Sequence, residues 1–269
     1  MAMARMNLFS KSLDTFTSVT VTLPDEPDPD NPPALLIFLH GLRHDDTVFT
    51  RRVPVEHLSA NRNIVCVFPS AARTWYIDRD QHLRWFTWVA EELPALVRAT
   101  FRVSTKRENT FVAGLSMGGY GAVKAALRHP ETFAAALSLS GALDITSPEF
   151  LARHPELSCL AAPTISEGDD LFRLIDNRGA GAGTRDATDA VGAGVLGEPP
   201  SPISLELSPK LWLTCGQEDP KLADSERFAL AARAAGLGVT ERYTAGEHDF
   251  AFWAPAFEAG LNWIDQQRQ

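Results

Sequence analysis

The pattern of hydrophobic and polar positions along the chain predicts short buried strands separated by helices. Residues 34–39 (ALLIFL) and 63–68 (NIVCVF) are almost entirely apolar, as expected for strands that are covered on both faces of a sheet. Residues 109–113 and 133–140 are predicted to be further short strands of the same kind. By contrast, residues 14–23 alternate polar and apolar positions, which is typical of a half-buried antiparallel strand.

Helical periodicity fills the intervals between these strands. Apolar residues recur at helical spacing over residues 85–101, and Pro94 is expected to bend that helix. Residues 53–60 predict a short helix and residues 117–128 a longer one of small residues. The alternation resumes near the C-terminus, with strands at residues 210–214 and 239–243 and helices at residues 222–235 and 255–267. This order predicts an α/β fold with a mostly parallel central sheet and helices on both faces.

Residues 143–209 interrupt the alternation. They contain predicted helical pieces at residues 148–153 and 169–176 and a glycine- and alanine-rich stretch at residues 179–194. An insertion of this length between two core strands is either a cap over the site or a surface loop. The glycine-rich stretch is predicted to be a flexible loop, because no Lys or Ser/Thr lies at the spacing of a phosphate-binding loop. We therefore predict one domain over residues 1–269, with the insertion as a cap-like segment within it.

The net charge and the composition of the chain argue against some classes of binding partner. The chain has 25 Lys and Arg against 34 Asp and Glu, a formal net charge of −9, which argues against nucleic acid and anionic membranes. Its apolar runs are too short to cross a bilayer, and residues 1–11 contain no apolar run long enough for a secretory signal. These features predict a soluble cytoplasmic protein with no membrane insertion, with residues 1–5 as an irregular tail. Homo-oligomerisation is left open.

The three cysteines do not form a recognisable framework. Cys66, Cys159 and Cys215 are an odd, sparse set without CxxC or metal-ligand spacing. A disulfide framework and a structural zinc site are therefore not expected.

The sharpest motif is a G-x-S-x-G sequence formed by Gly114, Ser116 and Gly118. It lies between the predicted strand TFVA and the predicted helix YGAVKAALR. In a nucleophile elbow the strand-to-helix turn is so tight that the residues two before and two after the serine must be small, and the serine hydroxyl projects above the sheet. The alternative is an ordinary glycine-rich turn.

A serine hydroxyl needs a base, and the base needs a carboxylate that orients it. In folds with this elbow the chain order is serine, then acid after a late strand, then histidine before the last helix. Asp219 follows the predicted strand KLWLTCG, and His248 precedes the last predicted helix. We predict Ser116, His248 and Asp219 as nucleophile, base and acid, with Glu218 as the alternative acid.

Acyl transfer also needs hydrogen-bond donors for the tetrahedral oxyanion. The backbone N–H of Met117, directly after the nucleophile, is one candidate. The strand LLIFLH ends in His40 and Gly41, and the glycine lets the loop turn so that the Leu42 N–H faces Ser116. His40 is predicted to be a packed residue at a strand end rather than a second base.

Three aromatic residues fall on loops at the expected catalytic edge of the sheet. They are Trp75 and Tyr76, after the predicted strand that ends at Phe68, and Trp253, shortly after His248. Large rigid side chains on these loops are typical of a pocket wall. We predict that they bind substrate and favour short acyl chains, the alternative being core packing.

Taken together, these motifs resemble a known family. The segments LLIFLHGL, GLSMGGYGAVKAALRHPETFAAALSLSGALD, CGQEDP and TAGEHDFAFW are similar to the tributyrin-esterase branch of the esterase D family of α/β-hydrolases. The resemblance implies an α/β-hydrolase fold with an insertion after the sixth strand. It also implies a serine carboxylesterase that acts on short-chain acyl esters, with no metal or organic cofactor.

Other functions with the same fold stay open. S-formylglutathione hydrolases resemble the chain at the elbow, but their histidine segment reads like HSYYF, unlike HDFAF beginning at His248. Mycolyltransferases share a histidine followed by tryptophan but are exported. A thioesterase or an acyltransferase with the same triad, and a non-catalytic binding protein of this fold, are the alternatives.

Overall fold

The computed structural model describes residues 1–26, 28, 30–79, 82–160, 164–180 and 207–268. Within them, the strands form one eight-stranded sheet in the order 1-2-4-3-5-6-7-8. The strands are β1 (Ala2–Ser10), β2 (Thr15–Leu23), β3 (Ala34–Leu39), β4 (Ile64–Pro69), β5 (Thr110–Leu115), β6 (Ala135–Leu139), β7 (Lys210–Gly216) and β8 (Val239–Thr244).

The centre of the sheet is parallel, as the apolar runs predict. Strands β4, β3, β5, β6, β7 and β8 pair in parallel, and every residue of β3 to β6 is buried. At one edge, β2 pairs antiparallel with both β1 and β4. In parallel strands that start at the same edge, the carboxyl ends converge at the opposite edge, and this brings the loops after β3, β5, β7 and β8 together.

Helices cover both faces of the sheet. The α-helices are α1 (Val48–Arg52), α2 (Val55–Ser59), α3 (Trp85–Thr87), α4 (Leu93–Phe101), α5 (Met117–Arg128), α6 (Pro148–Arg153), α7 (Pro155–Leu160), α8 (Leu171–Ala180), α9 (Leu222–Ala234) and α10 (Phe250–Gln267). On one face, Phe49 and Phe257 belong to one apolar cluster with Leu36 of β3. On the other face, Val123 belongs to a second cluster with Leu35. The two clusters fill the two interfaces between the three layers, helices, sheet and helices, of an α/β fold.

The first strand corrects the prediction that residues 1–5 are an irregular tail. Strand β1 pairs with β2 over its full length, from Ala2 opposite Leu23 to Ser10 opposite Thr15. It lies at an edge of the sheet, where most of its side chains are exposed or half-buried. An edge strand needs no long apolar run, so its sequence carries little strand signal.

Two helices differ from their predicted form. The helix predicted over residues 85–101 is divided by a π-helical turn at Trp88–Glu92. Pro94 follows that turn at the start of α4, where its missing N–H is tolerated. The last helix begins at Phe250 rather than at residue 255, because the Asp249 carboxylate accepts a hydrogen bond from the Phe252 N–H and caps it.

The insertion follows β6, the sixth strand, as predicted. Its helix α6 has the predicted bounds, and α8 covers most of the second predicted helical piece. The glycine-rich stretch at residues 179–194 lies almost wholly outside the described residues. None of the helices in the described ranges has the length and apolarity needed to cross a membrane.

Candidate active site

Ser116 occupies the tight turn between β5 and α5. Its backbone has φ 54° and ψ −116°, a conformation that costs a non-glycine residue free energy and is found mostly at functional sites. The turn leaves no space for larger neighbours. A Cβ atom on Gly114 would lie 2.2 Å from the Gly118 carbonyl oxygen, and one on Gly118 would lie 2.0 Å from the Leu39 carbonyl oxygen. The two glycines of the motif are therefore required by the approach of three backbone segments.

The structure brings Ser116, His248 and Asp219 into one chain of hydrogen bonds. The Ser116 Oγ lies 3.0 Å from the His248 Nε2. On the other side of the ring, the His248 Nδ1 lies 2.8 Å from the Asp219 Oδ2. This arrangement puts a proton acceptor beside the hydroxyl and a carboxylate behind the acceptor.

Asp219 is held as a carboxylate. Burial raises its pKa, but hydrogen bonds from His248 and from the Lys221 N–H, 2.8 Å from Oδ1, outweigh that effect, and the pKa lies below its usual value. The alternative acid, Glu218, does not contact His248. Its Oε2 instead accepts a hydrogen bond of 2.6 Å from the Gly246 N–H, in the loop that carries His248.

The loop after β3 lies against the elbow. A Cβ atom on Gly41 would lie 2.7 Å from the Leu115 Cδ1, so the glycine allows the loop to approach β5 closely. Leu42 lines the same cleft as Ser116. Met117 is the first residue of α5, and the N–H at that position of a helix has no acceptor in the preceding turn. Both predicted oxyanion donors are thus on segments that border Ser116.

His40 is a structural residue at the end of β3. It is buried, its Nε2 accepts a hydrogen bond of 2.9 Å from the Ala71 N–H, and its Nδ1 lies 2.8 Å from the Gly41 carbonyl oxygen. Burial lowers the pKa of His40, which favours the neutral ring that this pattern requires. Its part is to hold the loops after β3 and β4 together.

A cleft of about 510 Å³ opens above Ser116. Trp75 and Trp253, two of the three predicted wall residues, line it together with His44, His154 and Lys221. The volume is that of a small-molecule site. Burial lowers the pKa of both His44 and His154, so the neutral imidazole is favoured in each.

Trp253 also contacts the candidate base directly. Its ring packs edge-on against His248, with 5.0 Å between ring centroids. Its Nε1 donates a hydrogen bond of 3.1 Å to the Ser140 Oγ. A hydrogen bond from the Ser140 side chain also lowers the pKa of Asp219, and the Ser140 backbone has a positive φ of 50°. Trp253 is therefore both a wall of the cleft and a support for the His248 ring.

Tyr76 does not reach the cleft, and its predicted place in the wall is corrected. It is fully buried, and its hydroxyl donates a hydrogen bond of 2.9 Å to the His40 carbonyl oxygen. Both Trp75 and Tyr76 have positive φ angles, 53° and 48°, and this unusual backbone sends one ring to the cleft and the other into the core. Tyr76 packs against Gly121 of α5, where a Cβ atom would lie 2.5 Å from the ring.

The sequence did not reveal a buried ion pair that joins α5 to the insertion. Lys124 of α5 is fully buried, forms an ion pair with Asp169 of the insertion and donates a hydrogen bond of 2.7 Å to the Tyr76 carbonyl oxygen. Burial lowers the pKa of Lys124, whereas the Asp169 carboxylate opposes that shift. The sequence does contain one signal for this pair: Lys124 lies among the small apolar residues of the helix predicted over residues 117–128.

The family is settled by a match over nearly the whole chain. Residues 10–264 match the model of the family described as "Putative esterase". The chain belongs to this esterase family. As a member, the esterase is an enzyme that acts on small-molecule esters. It is 26% identical to the acetyl esterase of Caldicellulosiruptor saccharolyticus over 276 residues, which covers 99% of each chain.

Solved structures share the fold of the esterase. The fluorophosphonate-binding serine hydrolase F of Staphylococcus aureus, in a substrate-bound structure, gives a TM-score of 0.80 at 23% identity and covers 98% of both chains. The S-formylglutathione hydrolase of the same organism gives a TM-score of 0.78 at 23% identity, over 98% of this chain and 100% of that chain. These likenesses confirm the predicted α/β-hydrolase fold, and the tributyrin-esterase branch stays a prediction.

Proposed function

We propose that this esterase is a serine carboxylesterase that hydrolyses short-chain acyl esters through Ser116, His248 and Asp219. The observation that carries the proposal is the contact of 3.0 Å between the Ser116 Oγ and the His248 Nε2, with Asp219 on the other ring nitrogen. A hydroxyl is a weak nucleophile near neutral pH, and an adjacent oriented base is what activates it.

In the proposed reaction, the Ser116 Oγ attacks the ester carbonyl carbon while the His248 Nε2 takes the hydroxyl proton. The proton then passes to the leaving alcohol as the C–O bond of the ester breaks, and an acyl-enzyme remains. Water attacks the acyl-enzyme with the same base assistance, and this releases the acid and restores the Ser116 hydroxyl. The ionised Asp219 keeps the His248 proton on Nδ1 and stabilises the imidazolium that forms.

The N–H groups of Leu42 and Met117 are proposed to stabilise the tetrahedral oxyanion. Gly41 lets the Leu42 loop approach β5, and Met117 begins α5 beside Ser116. Donors that are fixed before the reaction need no rearrangement when charge develops on the carbonyl oxygen, and each one contributes strongly to the rate.

Preference for short acyl chains is supported by the two indole rings in the cleft. Trp75 and Trp253 are 2% and 5% exposed, so each is fixed by packing and cannot move aside easily. The curated relative is named as an acetyl esterase, which agrees with a small acyl pocket.

A thioester is the second candidate substrate, because one structural neighbour is named an S-formylglutathione hydrolase. The same nucleophile, base and oxyanion donors would attack a thioester carbonyl, and the thiol would leave in place of the alcohol. Transfer of the acyl group to an acceptor other than water would differ only in the second step.

The test combines labelling with a substrate series. A fluorophosphonate probe should label wild-type protein on Ser116, as located by peptide mass spectrometry. Ser116→Ala should abolish labelling and reduce kcat by about 10⁴-fold or more while the circular dichroism spectrum is retained. Retention of more than a few per cent of activity by the variant would place the nucleophile elsewhere.

The substrate series contains p-nitrophenyl esters from acetate to laurate, a feruloyl ester and S-formylglutathione. We expect the highest kcat/KM among the short p-nitrophenyl esters. A higher kcat/KM for S-formylglutathione would favour the thioesterase, and absence of both labelling and hydrolysis would favour a binding protein.

A further inference from the structure

Lys221 is a cation of the cleft that the proposed reaction does not use. It is partly buried, follows Asp219 by two residues and lines the cleft with Ser116 and His248. Its backbone N–H donates to the Asp219 Oδ1, so the main chain at Lys221 is fixed to the candidate acid. The side chain of Lys221 therefore starts beside the candidate acid and lies along the cleft that contains Ser116.

The ammonium group of Lys221 rests on an aromatic ring rather than on a carboxylate. Its Nζ lies 4.2 Å from the centroid of the Phe150 ring in α6, which is a cation–π distance. In the described part of the chain, no carboxylate oxygen lies within 4.0 Å of this Nζ. Burial lowers the pKa of Lys221, and Asp224 and Asp219 oppose this from a longer range.

Cationic side chains lie near Lys221 together with the carboxylates of Asp224 and Asp219. Arg43, an exposed residue of the loop after β3, lines the same cleft, and the charge of Arg153 also acts on Lys221. Asp249 lines the cleft too, but its carboxylate caps α10 through the Phe252 N–H. Two cations, Lys221 and Arg43, thus line a cleft in a chain whose formal net charge is −9, and clefts focus the field of the charges that line them.

We propose that Lys221 anchors a carboxylate carried by the ester, so that the preferred substrates are esters with an anionic group on the acyl or the alcohol side. This inference rests on the proposed function of the same site. A partly buried ammonium without a paired carboxylate offers unused donors, and hydrogen bonds between ions are stronger than those between neutral groups. Phe150 would hold the ammonium group in place and exclude water from one side of it.

The first measurement uses wild-type protein and two matched pairs of esters. In the acyl arm, kcat/KM for mono-p-nitrophenyl glutarate is compared with that for p-nitrophenyl pentanoate. In the alcohol arm, 4-carboxyphenyl butyrate is compared with its neutral analogue, 4-carbamoylphenyl butyrate. We expect the anionic ester to be preferred by about tenfold in one arm, and that arm identifies the side of the ester that Lys221 contacts.

The second measurement removes the charge. Lys221→Met should lower the anionic-to-neutral ratio of kcat/KM about tenfold in the preferred arm, and Lys221→Arg should retain most of it. Lys106→Met is the matched control, because Lys106 is exposed and precedes the amino end of β5, away from the cleft. It should leave the ratio unchanged.

The outcomes separate this inference from the proposed function. No preference for the anionic ester in either arm, or an equal ratio in wild type and Lys221→Met, overturns the role of Lys221 while ester hydrolysis stands. If the protein hydrolyses none of the four esters, the proposed function itself is overturned. If Lys221→Met does not fold, the role of Lys221 is decided by the anionic-to-neutral ratios of kcat/KM measured for wild type and for Lys221→Arg.

Discussion

Arg5 of the first strand and Asp46 of the loop after the third strand form a bidentate ion pair. The Arg5 Nε lies 2.7 Å from one carboxylate oxygen of Asp46, and its Nη2 lies 3.1 Å from the other. Ser18 and Thr20 of β2 donate to the same carboxylate, whose side chain is 1% exposed. The edge of the sheet thus holds the loop that also carries Leu42.

The Asp46 carboxylate gives a pH-dependent contribution to stability. Burial raises its pKa, but the hydrogen bonds from Arg5, Ser18 and Thr20 outweigh this and leave the pKa below its usual value. A lowered pKa in the folded state gives stability that is complete above the unfolded-state pKa, about 4, and is lost as the pH falls through the folded-state pKa.

We therefore expect Asp46→Asn to lower the free energy of unfolding by about 1–3 kcal/mol at pH 7, with a smaller deficit at pH 3. Urea unfolding at pH 7, 4 and 3 measures this. Glu258→Gln, which changes an exposed carboxylate on α10, is the control. An equal deficit of Asp46→Asn at all three values would show that its charge is not the cause.

The assignment of the acid is tested by a pair of amide variants. Asp219→Asn should lower kcat by about 10³ to 10⁴-fold, because the amide favours the wrong tautomer of His248. Glu218→Gln should change kcat by less than about threefold, since its amide oxygen still accepts the Gly246 N–H. Steady-state kinetics on one p-nitrophenyl ester give both values, and the reverse ranking would move the role to Glu218.

The tightness of the elbow is tested at Gly118. A methyl group there would lie 2.0 Å from the Leu39 carbonyl oxygen, and backbone cannot move aside as a flexible side chain does. We expect Gly118→Ala to destabilise the fold by about 3 kcal/mol, seen as a lower Tm. Gly238→Ala, where the nearest atom is 3.9 Å from the added carbon, should stay within about 0.5 kcal/mol of wild type. Equal Tm values for the two variants would contradict the geometry.

The acyl-length preference is tested at the two tryptophans of the cleft. Each buried methylene contributes about 0.8 kcal/mol, so kcat/KM should rise with chain length until the wall is reached, at about six carbons, and then fall. Trp75→Ala should move the optimum to longer esters. Trp253→Ala should do the same and also lower kcat, because its ring supports His248.

Trp263→Ala provides the control for this series. Trp263 is buried further along α10, so its loss should affect stability without moving the optimum. A wild-type preference for laurate over butyrate, or an optimum that stays fixed in both cleft variants, would show that the two rings do not limit acyl length.

The sequence predicted the parts of the fold that depend on burial. Continuous apolar runs marked the parallel strands, since strands covered on both faces need apolar side chains at every position. The edge strand β1 was missed because its half-exposed face carries no such pattern. The order of Ser116, Asp219 and His248 along the chain also anticipated their juxtaposition, because the topology brings the ends of those strands together.

What the sequence left out depends on contacts between distant segments. Trp75 and Tyr76 are adjacent and both aromatic, and only the positive φ angles determine which ring faces the cleft. The Lys221 ammonium group lies over the ring of Phe150 in the insertion, and no spacing in the sequence relates these two residues. Such contacts arise in the folded chain, so residue type and periodicity do not report them.

The ion pair between Lys124 and Asp169 limits how this enzyme could be re-engineered. It joins the helix of the elbow to the insertion, and the same ammonium group holds the main chain of the Tyr76 turn. A replacement insertion grafted from another hydrolase without an equivalent of Asp169 would leave a buried cation unpaired in the helix that follows the nucleophile. The segment that shapes the cleft is therefore not an interchangeable module, and a successful chimera would have to inherit or remove both charges together.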